Sequence, residues 1–406
     1  MRVSMLREIF NIKNFPIFLI NMGFLGVAVA VTSPFLIIYM TEEYGISTTS
    51  FGLFLATAAF GSFIINTYVG RKSDHITFDR KYLIIVALVS MVCAFLSFVI
   101  FESLLLVILS YILFASLGAP AMPQLYASAR ESINDYQPKL AVFANTVLRS
   151  TFSLGFLVGP LVGTILLTSF GFDGLFIGTS IFFFVVLLLA LLIKPRPQPP
   201  SEQRDIQMSV SATVEAPSIL KNMNIFLPFL AFIFLQVAMF MYILNMPLYI
   251  TGTLGLDESR VGIIASLCAG IEVPLMIMVG YVAGRYSARN LLIFSGFFAI
   301  IYFLLLSLVQ DYTWMLIGQF PLAVFLAILL GLGISYFQEL VPHFPGFAST
   351  LFANGMIVGQ LLGNLMGGIL SDFIGIANVF YVCTACVIIA MLILLRTKPV
   401  TKEEAI

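Results

Sequence analysis

Two ionisable side chains stand deep inside long apolar stretches of this sequence, Arg149 in the fifth stretch and Glu272 in the eighth. Charge is costly away from water, so such residues mark substrate or proton pathways. Glu272 is the twelfth residue from Val261, near the middle of its stretch. A carboxyl there can take up and release a proton, the step a proton-coupled carrier requires. Pro274, two residues on, removes a backbone donor and loosens the helix. The plainer reading is a structural carboxyl, held protonated or paired with an arginine. Asn145, Arg149 and Ser153 are spaced i, i+4, i+8 and share one helix face. A stripe of that kind lines a cavity or meets another helix, where Arg149 would pair with Glu272 or Glu131.

Amides form a second set: Asn21, Gln124, Gln236, Asn245, Asn354, Gln360 and Asn364 all fall within apolar stretches. An amide both donates and accepts, which suits a hydroxyl-rich ligand. Singly, each also reads as a helix–helix hydrogen bond. Tyr126, Tyr242 and Tyr249 are candidates for stacking on a ligand. Glycines at Gly155, Gly159 (followed by Pro160) and Gly163 recur at every fourth position and allow close helix contact. In the loop GRKSDHITFDRK, Asp74 is placed to cap a helix and to pair with Arg80 in one conformation only, as a gate latch does. Arg130 and Glu131, just past the fourth stretch, join them as gate candidates, as do the three glycines and Pro160.

Other chemistries lack their residues. Cys93, Cys268, Cys383 and Cys386 lie in apolar runs, and the Cys383-x-x-Cys386 pair reads as small core residues rather than a redox or metal site. The two histidines, His75 and His343, fall in polar loops. There is no Gly-rich phosphate loop and no His-Glu-x-x-His. The expectation is a non-enzyme with no cofactor and no metal.

The elements that hold these residues follow from composition. Of 406 residues, 60% are hydrophobic and 10% charged, with mean hydropathy +1.05; a typical soluble protein is roughly 25% charged. Lipid, acting as an apolar solvent, removes the problem of covering that surface. A zero net charge gives no electrostatic reason for a nucleic-acid partner. A span needs about 20 apolar residues, and twelve stretches qualify: Phe15–Met40, Phe51–Gly70, Tyr82–Phe101, Leu104–Ala127, Leu140–Thr168 and Leu175–Ile193, then Ile225–Ile250, Val261–Val282, Leu291–Val309, Tyr312–Phe337, Phe347–Leu370 and Ala377–Leu395. Backbone groups in lipid must be paired internally, so these are helices of an all-α membrane protein. The basic N-terminus leads into a retained first span rather than a cleaved signal.

A polar, Pro- and Ser-rich segment, 194–224, separates a first unit (1–193) from a second (225–406) and reads as a linker between two six-helix bundles. Eighteen of the 20 Lys and Arg fall on the side of the termini and linker; Arg260 lies opposite and Arg149 inside a span. Both termini are therefore expected in the cytoplasm. The units also repeat weakly at an offset near 210 residues: Gly45 and Gly52 align with Gly255 and Gly262, and Phe143-Ala144-Asn145 with Phe352-Ala353-Asn354. A duplicated unit of this kind places a substrate site between pseudo-symmetric halves near the midplane.

The Gly70-x-x-x-Asp74 loop with Arg80-Lys81 resembles the loop motif of the major facilitator superfamily, two residues longer than usual, and the Gly155…Gly159-Pro160…Gly163 run resembles the motif of its antiporters, with Thr164 for the last glycine. More narrowly, APAMPQLYASARE (119–131), MYILNMPLYI (241–250), AGIEVPLMIMVGY (269–281) and YFQELVP…ASTLFAN (336–354) resemble the bacterial sugar efflux transporters, in order along nearly the whole chain. The resemblance implies the major facilitator fold and a monomeric carrier in the cytoplasmic (inner) membrane. It also implies export of sugars or sugar-like compounds by proton antiport. Asn245 stands where family members carry an Asp, so that coupling must rest on Glu272, with Arg149, or be absent. A proton-coupled multidrug exporter is the alternative.

Overall fold

The computed structural model describes residues 8–73, 80–136, 141–194, 222–282, 286–341 and 345–397, and all regular structure in them is helical. The loop acid Asp74 and both histidines lie outside the described residues. The first apolar stretch forms two helices, α1 (Phe15–Thr32) and α2 (Leu36–Glu42), because Pro34 carries no N–H and the chain turns at 33–35. Next come α3 (Thr48–Ser73) and α4 (Arg80–Ile100). The fourth stretch is likewise interrupted, at Ala119-Pro120, into α5 (Leu104–Gly118) and α6 (Ala121–Tyr136).

The fifth and sixth stretches are joined in one element, α7 (Ala141–Leu191), in which Gly171 alone leaves helical geometry, at φ 68° and ψ −167°. Its apolar part, Val147–Leu191, has 45 residues, about 68 Å at 1.5 Å per residue and roughly twice the hydrocarbon thickness. The chain must therefore reverse direction, and Gly171 is where a residue without Cβ permits it. The sequence places a loop here; the structure makes the turn at one residue.

The second part holds α8 (Met223–Leu248), which passes at Pro247 into a π-helical segment, Tyr249–Thr253. It continues with α9 (Ser259–Val282), α10 (Ala288–Leu308), the short α11 (Tyr312–Ile317), α12 (Gln319–Leu340), α13 (Pro345–Ile374) and α14 (Ile376–Arg396). Several starts are capped by side chains: Asn222 accepts from the Asn224 N–H, Ser287 from Asn290, and Asp311 from Thr313 and Trp314. Eleven helical segments of the described residues are long and apolar enough to cross a membrane, α7 counted once. Leu105, Val86, Ile165 and Phe297 point outward and are more than half exposed, the surface expected of a multi-pass protein bathed in lipid.

Two glycine-lined seams set the closest packing. Along α7, a Cβ on Gly155, Gly159 or Gly163 would strike Gly23, Ala30 or the Val31 carbonyl of α1. On α13, Gly355, Gly359, Gly363 and Gly367 meet Phe232, Gln236, Phe240 and Met241 of α8 in the same way. Small residues let backbones approach where no hydrophobic drive exists between helices in lipid. The glycine run in α7 lies against α1, the close helix contact that its spacing allows. Two further contacts tie the first part to the second. Gly52 of α3 lies against the Asn364 carbonyl of α13, and Gly262 of α9 against Pro160 and Thr164 of α7.

Candidate functional site

A cavity of about 480 Å³ lies where α1, α3, α4 and α7 face α8, α9, α12 and α13, a size that suits a small molecule. Its walls are mostly apolar, with Phe156, Phe183 and Phe240 among them. Polar groups enter at few points: Thr32 and Ser33 beside the α1 break, Tyr111 on α5, Tyr242 on α8, Glu272 on α9, and Gln360 with Asn364 on α13. The last two are four residues apart and share a helix face. Glu272 lies one helical turn from Cys268, which also lines the cavity. A carboxyl, two amides and two phenols among aromatic rings can orient a polar, hydroxyl-bearing ligand and hold one proton beside it.

Of the residues singled out in sequence, Glu272, Tyr242, Gln360, Asn364 and Pro160 reach this cavity, as does Cys268. Arg149 is on α7 with its guanidinium donating from Nη2 to the Leu330 carbonyl of α12, 3.1 Å away. Asn145 occupies α7, and Arg130 and Glu131 occupy α6, but their side chains lie outside the description. Gln124 is buried at the start of α6, where its Oε1 accepts from Arg80 Nη1 at 3.0 Å. That bond gives Arg80 a role at a helix junction. Tyr126, two residues on, is half-buried.

Asn245 Nδ2 donates to the carbonyls of Met241, at 3.0 Å, and Gly367, at 3.2 Å, and so ties α8 to α13. Asn21 and Gln236 are fully buried, and their amide atoms have no hydrogen-bond partner among the described residues. Both lie on the glycine-packed helices α1 and α8, away from the cavity wall. Asn354 is half-buried on α13, two turns before Gln360. The Tyr249 hydroxyl donates to the Leu306 carbonyl at 2.8 Å, which occupies the group that a ligand would use.

Sequence reasoning missed Asp372, at the end of α13. Its carboxylate accepts from the backbone N–H groups of Thr48, at 3.2 Å, and Thr49, at 2.8 Å, and from the Thr48 hydroxyl. The acid caps the first turn of α3, where free N–H groups and the helix dipole favour negative charge. It spans 324 positions of sequence, so no local pattern announces it. Thr49 adds a hydroxyl donation to the Gly368 carbonyl at 3.3 Å. The hydroxyl of Tyr302 and the amide of Gln319, behind Tyr242, were also passed over. Their signal was present, since both are polar residues inside apolar stretches.

The Major Facilitator Superfamily model matches residues 18–313 and 229–406. The chain is 28% identical over 377 residues to sugar efflux transporter A of Escherichia coli strain K12, covering 93% of this chain and 94% of that protein. It is 29% identical over 356 residues to sugar efflux transporter A of Dickeya chrysanthemi, covering 87% and 88%. Among solved structures, nucleoside transporter NupG superposes with a TM-score of 0.78 at 12% identity, over 95% of this chain and 99% of that one. A D-xylose-proton symporter superposes with a TM-score of 0.74 at 14% identity, over 97% and 99%.

Proposed function

The chain belongs to the Major Facilitator Superfamily, and on that footing we propose that it exports sugars or sugar-like compounds across the bacterial cytoplasmic membrane by proton antiport. The observation that carries the reading is the convergence of Glu272, Gln360, Asn364 and Tyr242 on one cavity between the first and second parts of the chain. The amides and the phenol address hydroxyl groups. Glu272, the ionisable member of the set, binds the proton, with Arg149 as the second residue of the coupling. The names carried by the relatives, sugar efflux transporters, agree with that chemistry.

In this reading α7 crosses the membrane twice about Gly171, giving twelve crossings in two six-helix halves, 1–193 and 225–406, joined by the 194–224 linker. The count of Lys and Arg puts the termini and the linker in the cytoplasm. The α3–α13 and α7–α9 contacts then lie on the outer side. They close the exit while the halves rock about the cavity. Asp372 is the latch of that closure, and Asp74, Arg80, Arg130 and Glu131 serve the opposite gate. The carrier works as a monomer, with protons and a sugar or glycoside as its partners.

The largely apolar wall favours one second reading, a proton-coupled multidrug exporter for amphipathic cations. Purified protein in sealed proteoliposomes, challenged with a panel of sugars and cationic drugs, separates the two. Proton movement on adding a sugar, lost in Glu272→Gln, is the expected result. Movement with drugs alone selects the second reading, and sugar exchange without proton movement removes the coupling.

A further inference from the structure

Three buried polar side chains, two behind the cavity and one in its wall, form a directed hydrogen-bond chain. Gln319 of α12 and Tyr302 of α10 are both 0% exposed, and Tyr242 of α8 is 4% exposed. Gln319 Nε2 donates to the Met315 carbonyl at 2.9 Å and to the Tyr302 hydroxyl at 3.0 Å. The carbonyl fixes which end of the amide is nitrogen, because an amide oxygen cannot sit at that distance from another oxygen without repulsion. Tyr302 accepts from Gln319 and passes its own proton to the Tyr242 oxygen, at 2.9 Å. Tyr242 is thereby an acceptor on its protein side. Its own O–H proton has no acceptor among the described hydrogen bonds, and the residue lines the cavity. Burying three such groups is costly unless each is paired, yet Gln319 Oε1 is left without a partner. Helix cohesion alone would be served better by apolar side chains.

We propose that Gln319 and Tyr302 are positioning residues that fix the Tyr242 hydroxyl as a donor into the cavity, so that the carrier selects ligands presenting an acceptor oxygen there. The inference rests on the sugar-carrier reading for the identity of the ligand. A site built to donate to one oxygen discriminates sharply against an analogue that lacks it. Glu272, Gln360 and Asn364 supply acceptors and mixed groups elsewhere in the wall. Tyr242 therefore orients the ligand, choosing which hydroxyl or ring oxygen faces α8.

The test uses full-length protein in proteoliposomes, with labelled D-glucose exchange competed by its unlabelled monodeoxy analogues. In the wild type, removal of one particular oxygen should weaken competition about tenfold, the scale of one well-placed hydrogen bond. Tyr242→Phe and Tyr302→Phe should each cut that penalty to about twofold, with Gln319→Leu falling between, while the other deoxy positions stay unchanged. A Tyr302→Phe protein that melts earlier but keeps the full penalty would overturn the proposal and leave only helix cohesion. A sugar-independent arm reads the direction of the chain. The C–O stretch of isotope-labelled tyrosine, taken as wild type minus Tyr242→Phe, should be that of a phenol that accepts a hydrogen bond, and the accepting signature should vanish in Tyr302→Phe. A Tyr242 that donates without accepting overturns the chain's direction. If no sugar competes at all, the carrier reading fails, and the infrared arm still decides the hydrogen-bond chain.

Discussion

Glu272 shares its cavity wall with two amides and a phenol, and its part in transport can be separated from its part in folding. Glutamine keeps the shape and much of the hydrogen bonding but cannot cycle a proton. Glu272→Gln should therefore lose proton-driven flux by at least about tenfold while its melting temperature holds, since an isosteric neutral replacement creates no cavity and Arg149 keeps its bond to the Leu330 carbonyl. Full proton-linked transport in that variant would remove Glu272 as the carrier. The sequence made this residue visible because a carboxylate in an apolar stretch needs a reason. It could not say which amides would join it. Gln360 and Asn364 face the cavity, whereas Asn21 and Gln236 are buried between helices. That choice depends on how each helix is rotated, and helices that are apolar on every side carry no periodic stripe from which to read the rotation.

At the scale of elements, the glycine seams have a measurable consequence. A side chain at Gly159 would strike Ala30 and the Val27 carbonyl of α1. Overpacking of this sort costs about 1–3 kcal/mol, so Gly159→Val should melt earlier in detergent, with any transport defect following from the loosened α1–α7 pair. A substitution at Gly45 or Gly252, where a Cβ meets nothing within 4 Å, is the contrast on packing; Gly45 has φ +62° and carries its own backbone strain, so Gly252→Ala is the cleaner control. The helices themselves were legible as apolar runs of sufficient length. Their interruptions at Pro34, Pro120 and Pro247 were legible in principle from residues that lack an N–H, and the runs were still read through them. The turn at Gly171 was placed within a loop by the sequence, but nothing in the composition told that one glycine would suffice. The second glycine stripe, from Gly355 to Gly367, repeats the spacing already noticed in the first and was open to the same reading.

For the whole molecule, orientation and closure are the testable properties. With the termini in the cytoplasm, a cysteine at Glu102 should react with an impermeant thiol reagent added to intact cells, and one at Tyr286 should react only after the cells are opened. The reverse pattern would invert the topology. Asp372→Ala removes the cap that joins α13 to α3, an interaction worth about 1–2 kcal/mol for a helix N-terminus. The balance between closed and open outer ends should then shift about five- to thirtyfold toward open. Spin labels at Glu43 and Asp257, in a background without the native cysteines, should report a larger share of long distances. An unchanged distribution would mean that the glycine contacts alone hold this end shut.

Among the described residues, the cap at Asp372 engages backbone N–H groups and a hydroxyl, not a lysine or arginine. Mobile ions weaken attraction between solvent-exposed charges, with a screening length of about 8 Å at physiological ionic strength, and a short carboxylate-to-amide bond offers them little to weaken. A change in the salinity of the medium alters the salt at that outer face at once. A carrier sealed in this manner would keep its leak rate nearly constant through such a shock, where one sealed by exposed ion pairs would loosen.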